Sequence, residues 1–397
     1  MDIDTGVVLA AGEGSRLHPL THNRPKPMLP AANRPILEYV LDALIDGGVE
    51  RIVLVVGFKR DRVQDHFGPS YRDVPIEYVV QSKQLGSGHA LQQAASVVDG
   101  SFVVVNGDRV IDTSLVRSVV EAADPEDAAT LAVLEHPHAR RYGAVTMDSE
   151  TNLITALVEK PKDDDYRLIN AGVYVFDRSV FDALADSEYE NGALPLTTGV
   201  EHLIDEADVR AVRTDGLWVD ATYPWDLLTV ASEVLRHGIV DGHQHTPGVW
   251  VADSARVNDD ATLQPPVVVG PDCEVAAGAV IGPNVALGRN TTVGANATLA
   301  RSVLDTDARV GPGTTLLDCV TGQDVHLGAG TVVPGGPADV RVGDSVFRER
   351  LGAVFADRVR ADGGVTCASG TLVGPHARLD TGVIVEGRIE ANARVVR

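Results

Sequence analysis

The stretch from Leu9 to Pro30, LAAGEGSRLHPLTHNRPKPMLP, gathers residue types that suit phosphate. Gly12 and Gly14 let the backbone turn tightly and bring its N–H groups to an anion. Arg16 and Lys26 add two cations to the same loop. Pro19, Pro25, Pro27 and Pro30 stiffen it, so its charges need little ordering when a ligand arrives. A second stretch, QSKQLGSGHAL from Gln81 to Leu91, offers an amide that can donate and accept at once, as the edge of uracil or thymine requires. Gly86 in that stretch would allow the backbone to reach the base as well. Phosphate and a pyrimidine base together describe a nucleotide.

The elements that must hold these residues alternate along the first 240 positions. Strand-like runs over 3–9, 51–56, 76–80, 102–106 and 128–134 interleave with helical spacing over 36–46, 59–67, 88–97, 113–123, 196–206 and 225–237. Shorter strands between 142 and 176 predict an inserted subsheet. This is the α/β pattern, and in an open α/β sheet ligands bind where apolar strands end in polar or glycine-containing turns.

A different grammar begins near Val249. Val251, Val257, Leu263, Val269, Val275, Ile281, Leu287, Val293 and Leu299 are aliphatic at a strict six-residue interval. A small or β-branched residue follows four positions after each anchor from Val251 to Val293, from Ala255 through Cys273 to Ala297. Such a hexapeptide repeat predicts a parallel β-helix, whose coils bury their apolar side only against stacked neighbours. The phase slips by one at Leu304, breaks between about Cys319 and Phe355, and returns through Cys367, Val373, Leu379 and Val385. Two domains are therefore expected, 1–240 and 241–397.

Composition narrows the function classes. A chain of 397 residues with 44% hydrophobic content is long enough for two cores, and no apolar run approaches the roughly 18 residues of a membrane span. The opening MDIDTG lacks the layout of a signal peptide, so a cytoplasmic location is expected. Cys273, Cys319 and Cys367 are too widely spaced for a disulfide framework or a zinc site, and Cys367 falls at a core position of the repeat. The net charge of −22 argues against nucleic acid. Lysine is scarce, with only Lys59 and Lys83 outside the motifs holding Lys26, Lys160 and Lys162. An acidic, lysine-poor surface is expected of a protein kept soluble in concentrated salt, as in a halophilic archaeon.

The loop G-x-G-x-R followed by P-K-P resembles the signature of the sugar-1-phosphate nucleotidylyltransferases, and the repeat resembles the left-handed β-helix attached to many of them. The resemblance implies a Rossmann-like mixed-sheet domain followed by a left-handed parallel β-helix that commonly trimerises. It implies transfer of a nucleotidyl group from UTP or dTTP to a hexose 1-phosphate, such as glucose or N-acetylglucosamine 1-phosphate, with release of pyrophosphate. Leu9, Ala11, Gly12, Gly14, Gln81, Gly86 and Ser87 match its nucleotide-binding positions, while Arg16 and Lys26 would neutralise charge on the departing pyrophosphate. Asp108 in VVNGD and Asp220 in LWVDATYPWD match its two magnesium carboxylates, although DATYPWD departs from the commoner DxGTPWD. Gly143, Glu159 and Asn170 match its sugar pocket, and Lys160 would meet the sugar phosphate.

Two alternatives stand beside that expectation. Some relatives carry an N-acetyltransferase site on the β-helix, marked by a His-x-x-Tyr stretch, an Asn a coil later and a Lys before the last coils. Here His326 has no such neighbours, Pro334-Gly335-Gly336 stands where the Asn would be, and RERLGA from Arg348 lacks the Lys. The repeat is accordingly read as a scaffold for a homotrimer and for effector binding. A non-catalytic regulatory relative is the other alternative, against which Arg16, Lys26, Asp108 and Asp220 are all retained. Every candidate residue precedes Gly242, so a chain ending there is expected to keep the site.

Overall fold

A computed structural model describes residues 3–163, 165–189 and 191–397, so Met1 and Asp2 of the opening stretch lie outside the described residues. Its packing forms two compact units, Met1–Glu13 with Leu37–Val219, and Gly14–Ile36 with Asp220–Arg397. The glycine-proline loop and the segment from Asp220 pack with the repeat, for reasons that lie in the repeat's own faces.

The first unit is built on four parallel strands, β1 (Thr5–Ala10), β2 (Arg51–Val56), β3 (Val74–Val80) and β4 (Phe102–Asn106). β1 lies between β2 and β4, with β3 beyond β2. Their near-continuous aliphatic runs follow from burial on both faces, as parallel sheets require. The expected subsheet is present and antiparallel: β5 (Ala129–Glu135), β6 (Gly143–Met147), β7 (Ile154–Glu159) and β8 (Leu168–Phe176). β8 joins it to the parallel strands by pairing with β4, and β9 (Val209–Arg213) closes the edge beside β5.

The helices of this unit are α1 (Ile36–Asp46), α2 (Arg60–Phe67), α3 (Ser87–Gln92), α4 (Thr113–Ala122), α5 (Ser179–Asp186) and α6 (Leu196–Glu206). α1 stops where Gly48 takes φ 104, and α4 starts where Asp112 accepts from the Ser114 and Leu115 amides. α3 is shorter than the spacing over 88–97 predicts, because residues 93–97 tighten into turns. α5 was not anticipated.

In the second unit the repeat forms three parallel ladders. Arg256 pairs with Glu274, eighteen residues on, so three hexapeptides make one coil. Asn and Asp sit at many corners in the left-handed region they tolerate better than other side chains, as at Asp272, Asn284, Asn290 and Asn296. The slip near Leu304 is a shorter coil: Val285 pairs with Ser302, seventeen residues on. The apparent break is an insertion only. Cys319, Leu327 and Val333 stay in the core, and a hairpin, Pro337–Val342 with Ser345–Arg350, projects before the next coil. All three cysteines lie in this core, where burial pushes Cys273 up to about 11 and Cys367 to about 12.

The first ladder explains the packing boundary. Its strands are apolar on both sides, with Val267 and Val269 facing the core and Val268 buried outside it. Trp250, Ala286, Val303, Val354 and Leu372 continue the buried outer row. Helix α7 (Asp226–His237) packs across strands Val285–Leu287 and Ser302–Leu304 of this ladder. No helix among the described residues is long and apolar enough to cross a membrane.

Candidate functional site

In the first unit the parallel strands end together. β1 runs into Ala11-Gly12 and β4 into Gly107-Asp108, where the Gly107 amide donates to the Leu9 carbonyl at 3.0 Å. The Gln81 amide, just past β3, donates to the Val56 carbonyl at 2.8 Å. Leu9, Ala11, Gly12, Gln81 and Asp108 therefore share the C-terminal edge of one sheet. A Cβ on Gly107 would lie 2.9 Å from Val8 and 3.1 Å from Ala10 Cβ, so this approach of β4 to β1 requires glycine.

Gln81 is buried, and its Nε2 donates to the Gly86 carbonyl at 3.0 Å and meets His89 Nδ1 at 2.9 Å. With His89 in the tautomer that accepts at Nδ1, both amide hydrogens are engaged inside the protein. Gln81 can present only its carbonyl oxygen to a base, whereas its residue type alone suggested a donor and an acceptor. Gly86 has φ 101, and a Cβ there would lie 2.3 Å from the Leu194 carbonyl oxygen. Ser87 accepts from the Leu196 amide at 2.9 Å and so ties α3 to the start of α6.

Gly143 pairs with Glu159 across β6 and β7, and Ala144 with Ile169 across β6 and β8. That register sets Gly143, Glu159 and Asn170 in one row. A Cβ on Gly143 would stand 3.3 Å from Glu159 Oε2 and 3.7 Å from Asn170 Cβ. Asn170 is buried, donates to the Tyr174 hydroxyl at 2.7 Å and accepts from the Gly172 amide at 2.9 Å. Burial pushes Tyr174 up to about 12. Lys160 Nζ lies 3.0 Å from Glu159 Oε1 at an exposed position, a pair that a ligand can separate at little cost.

Sequence reasoning missed Arg109. Its guanidinium lies 5.0 Å from the Trp218 ring centroid and 6.0 Å from that of Tyr142. These rings meet edge to face at 5.2 Å, and the Ala171 carbonyl accepts from both Arg109 Nη1 and Trp218 Nε1. Only its place after Asp108 could have drawn attention to it. An open cleft of about 560 Å³ is lined by residues that include Glu135, Arg213, Asp215 and Trp218.

The second unit holds the remaining candidates. Gly14 takes φ 71, and a Cβ on it would stand 2.8 Å from Lys26 Cβ, so the two halves of the signature touch. Arg16 is exposed, with no ion pair found among the described residues. Lys26 is buried and its Nζ lies 2.8 Å from Asp220 Oδ1, the side chains being 10% and 7% exposed. Asp220 Oδ2 accepts from the Thr222 hydroxyl at 2.7 Å. The two residues expected to meet phosphate and metal are thus an ion pair.

The DATYPWD segment is built around Asp226, whose Oδ2 accepts from the Thr222 and Tyr223 amides at 2.8 and 2.7 Å. Burial pushes its carboxyl up to about 6 despite those bonds. Tyr223 stacks on Trp225 at 4.8 Å, and Phe347 of the inserted hairpin packs on both. Arg24, also unremarked in the sequence, is buried between Asp305 and Asp357 of the repeat. A chain ending at Gly242 would lack both of the carboxylates that hold Arg24.

Comparison with known proteins follows these features. Residues 263–389 match the family described as the GMPPB C-terminal domain. The chain is 37% identical over 234 residues to the bifunctional protein GlmU of Methanococcus maripaludis, covering 58% of this chain and 54% of that protein. It is 36% identical over 224 residues to the UTP–glucose-1-phosphate uridylyltransferase AglF of Haloferax volcanii, covering 55% of this chain and 92% of that protein. The chain spans about half the length of the GlmU relatives it matches. A solved UDP-glucose pyrophosphorylase in complex with UDP-glucose shares the fold, with a TM-score of 0.55 at 22% identity over 59% of this chain and 100% of that one. Residues 5–237, which span the parallel strands, the signature loop and DATYPWD, match the nucleotidyl transferase family, and the chain belongs to it.

Proposed function

We propose that the protein transfers a nucleotidyl group from UTP or dTTP to a hexose 1-phosphate, glucose or N-acetylglucosamine 1-phosphate, releasing pyrophosphate. The observation that carries this is the common edge where β1, β3 and β4 end in Ala11-Gly12, Gln81 and Asp108. An oxygen of the sugar phosphate attacks the α-phosphorus in line while pyrophosphate leaves. Such a step depends on positioning and charge neutralisation and needs no protein nucleophile. Arg16 and Lys26 neutralise the leaving group, the row of Gly143, Glu159 and Asn170 orients the sugar, and Lys160 takes its phosphate. Leu9, Ala11, Gly12, Gly14, Gly86 and Ser87 are the nucleotide contacts.

The carbonyl of Gln81 accepts from the N3–H of uracil or thymine. Adenine offers an acceptor at the corresponding ring position, so ATP is the nucleotide most strongly disfavoured. Asp108 and Asp220 are the carboxylates assigned to magnesium, a hard cation that takes one or two carboxylates and completes its shell with phosphate oxygens and water. Bound there, the ion would add positive charge beside the triphosphate. Asp220 holds Lys26 at Oδ1, so of the two carboxylates it is the one that would stand beside both the ion and the ammonium proposed for phosphate.

Self-association as a homotrimer is assigned to the third ladder of the repeat. Its outer row, Thr262, Val280, Thr298, Thr315, Val332, Thr366 and Ile384, carries no charge, while the second ladder shows Arg256, Glu274, Arg309, His326 and Arg360. Pyrophosphate release across UTP, dTTP, GTP and ATP with several hexose 1-phosphates tests the activity. Release with no pair, or a kcat/KM for ATP above both pyrimidine nucleotides, would overturn it.

A further inference from the structure

We infer that the repeat takes part in the phosphate chemistry, with Arg24 as the positioning residue that holds Lys26 in place. The inference rests on the role proposed for Lys26 above. Arg24 lies two residues before Lys26, and its side chain is 3% exposed. Nη1 contacts Asp305, and Nη2 donates to Asp357 Oδ1 at 3.0 Å. Nη1 also reaches the Met28 carbonyl at 3.4 Å, at the end of the short turn Lys26–Met28. One guanidinium therefore joins the turn that carries Lys26 to two separate coils.

Those coils are prepared for it. Asp305 follows strand Ser302–Leu304, and Asp357 follows Ala353–Phe355, with Val320–Thr321 between them in the same ladder. Asp305 Oδ1 accepts from the Thr306 amide at 2.7 Å, and Asp357 Oδ1 from the Gln323 amide at 2.9 Å. In the intervening coil a Cβ on Gly322 would lie 2.3 Å from Asp357 Oδ1, so glycine makes the room for that carboxylate. Burial alone would lower the Arg24 pKa, yet the two carboxylates raise it, and the guanidinium stays charged.

An apolar side chain would fasten the loop with no desolvation cost. A buried ion triad is instead sensitive to geometry, because a planar guanidinium meets both carboxylates in one orientation only. That orientation is passed to Lys26 through Pro25 and the turn. Lys26 is then held from its other sides by Gly14 and Asp220. Phosphoryl chemistry that relies on placement is sensitive to shifts of about 1 Å, which can lower rates about a hundredfold.

The test uses the full chain with Asp305→Asn, Asp357→Asn and Arg24→Lys, and Leu379→Ala as a core-destabilising control elsewhere in the repeat. Pyrophosphate release is measured well below each variant's Tm, together with hydrogen exchange of residues 14–29. The expected result is a fall in kcat of about tenfold or more at nearly unchanged KM in the first three, with faster exchange over 14–29. Leu379→Ala should lose stability while keeping kcat and that protection. Unchanged kcat in both Asp variants, or an equal loss in Leu379→Ala, would overturn the inference. If the wild-type chain releases no pyrophosphate with any substrate pair, the proposed function fails. Exchange then decides the clamp alone, which stands if protection of 14–29 is lost in the Asp variants but not in Leu379→Ala, and falls otherwise.

Discussion

Lys26→Ala separates folding from chemistry at the ion pair. The residue type alone leads one to expect lost turnover with little effect on folding, since the ammonium was to act only on phosphate. In the structure it faces Asp220 at 2.8 Å with both side chains at least nine-tenths buried. Removing it leaves the buried Asp220 carboxylate without that ammonium. Breaking one side of such a pair costs about 3–5 kcal/mol. At about 2 °C per kcal/mol for a chain of this size, Tm should fall by roughly 6–10 °C. Lys26→Met with Asp220→Asn removes both charges, and its stability should return to within about 1.5 kcal/mol of wild type. The double mutant should nevertheless remain at least a hundredfold impaired in pyrophosphate release, because both proposed phosphate and metal groups are gone. Thermal unfolding and single-temperature turnover on wild type, Lys26→Met, Asp220→Asn and the double mutant give the full cycle. A single mutant within about 1 kcal/mol of wild type would refute the buried-pair argument. A double mutant with near wild-type turnover would refute the chemistry.

Gly14→Ala should lower kcat about tenfold or more, because φ 71 disfavours a side chain and the new methyl would press on Lys26 Cβ; turnover equal to wild type would show that the loop gives way harmlessly. Asp226→Asn should stabilise the protein at pH 8 by about 1–3 kcal/mol. A folded pKa of about 6 against 3.8 means that ionised Asp226 opposes folding above pH 6, a penalty relieved as pH falls from 6 towards 3.8. Urea titrations from pH 4 to 8 that show no such convergence would contradict the burial assigned to it. Val332→Lys with Ile384→Lys should dissociate the proposed trimer in sedimentation at high salt without changing kcat per chain, and a trimer that persists would move the interface off the third ladder.

Elements whose burial is simple were legible from sequence. β1, β2 and β4 are apolar runs because both faces are covered, and the six-residue period survives because each anchor points into a narrow core. The inserted hairpin was misread as a break, since a fourteen-residue excursion hides the anchors on either side of it. α5 escaped notice because eight residues give too few turns for a period to stand out. The packing boundary had left a trace that went unused. Val267-Val268-Val269 and Val285-Ala286-Leu287 are apolar at three successive positions, where a strand with one wet side would alternate.

The same unused trace bears on the site. Gly12, Gly14, Arg16, Lys26, Gln81, Asp108 and Asp220 could be picked out because a ligand's chemistry dictates their types. Arg24 could not, since nothing local distinguishes a clamp from a surface arginine, and its partners lie 281 and 333 positions away. Its necessity follows only from the doubly apolar ladder, which needs a cover along its length. The chain supplies one from α7 and the loop carrying Lys26. If the loop has the phosphate role proposed for it, the contacts that seat it belong to coils far along the chain. On the roles proposed for Arg24 and Lys26, function and stability are joined there, and substitutions in coils far along the chain should be read out in turnover.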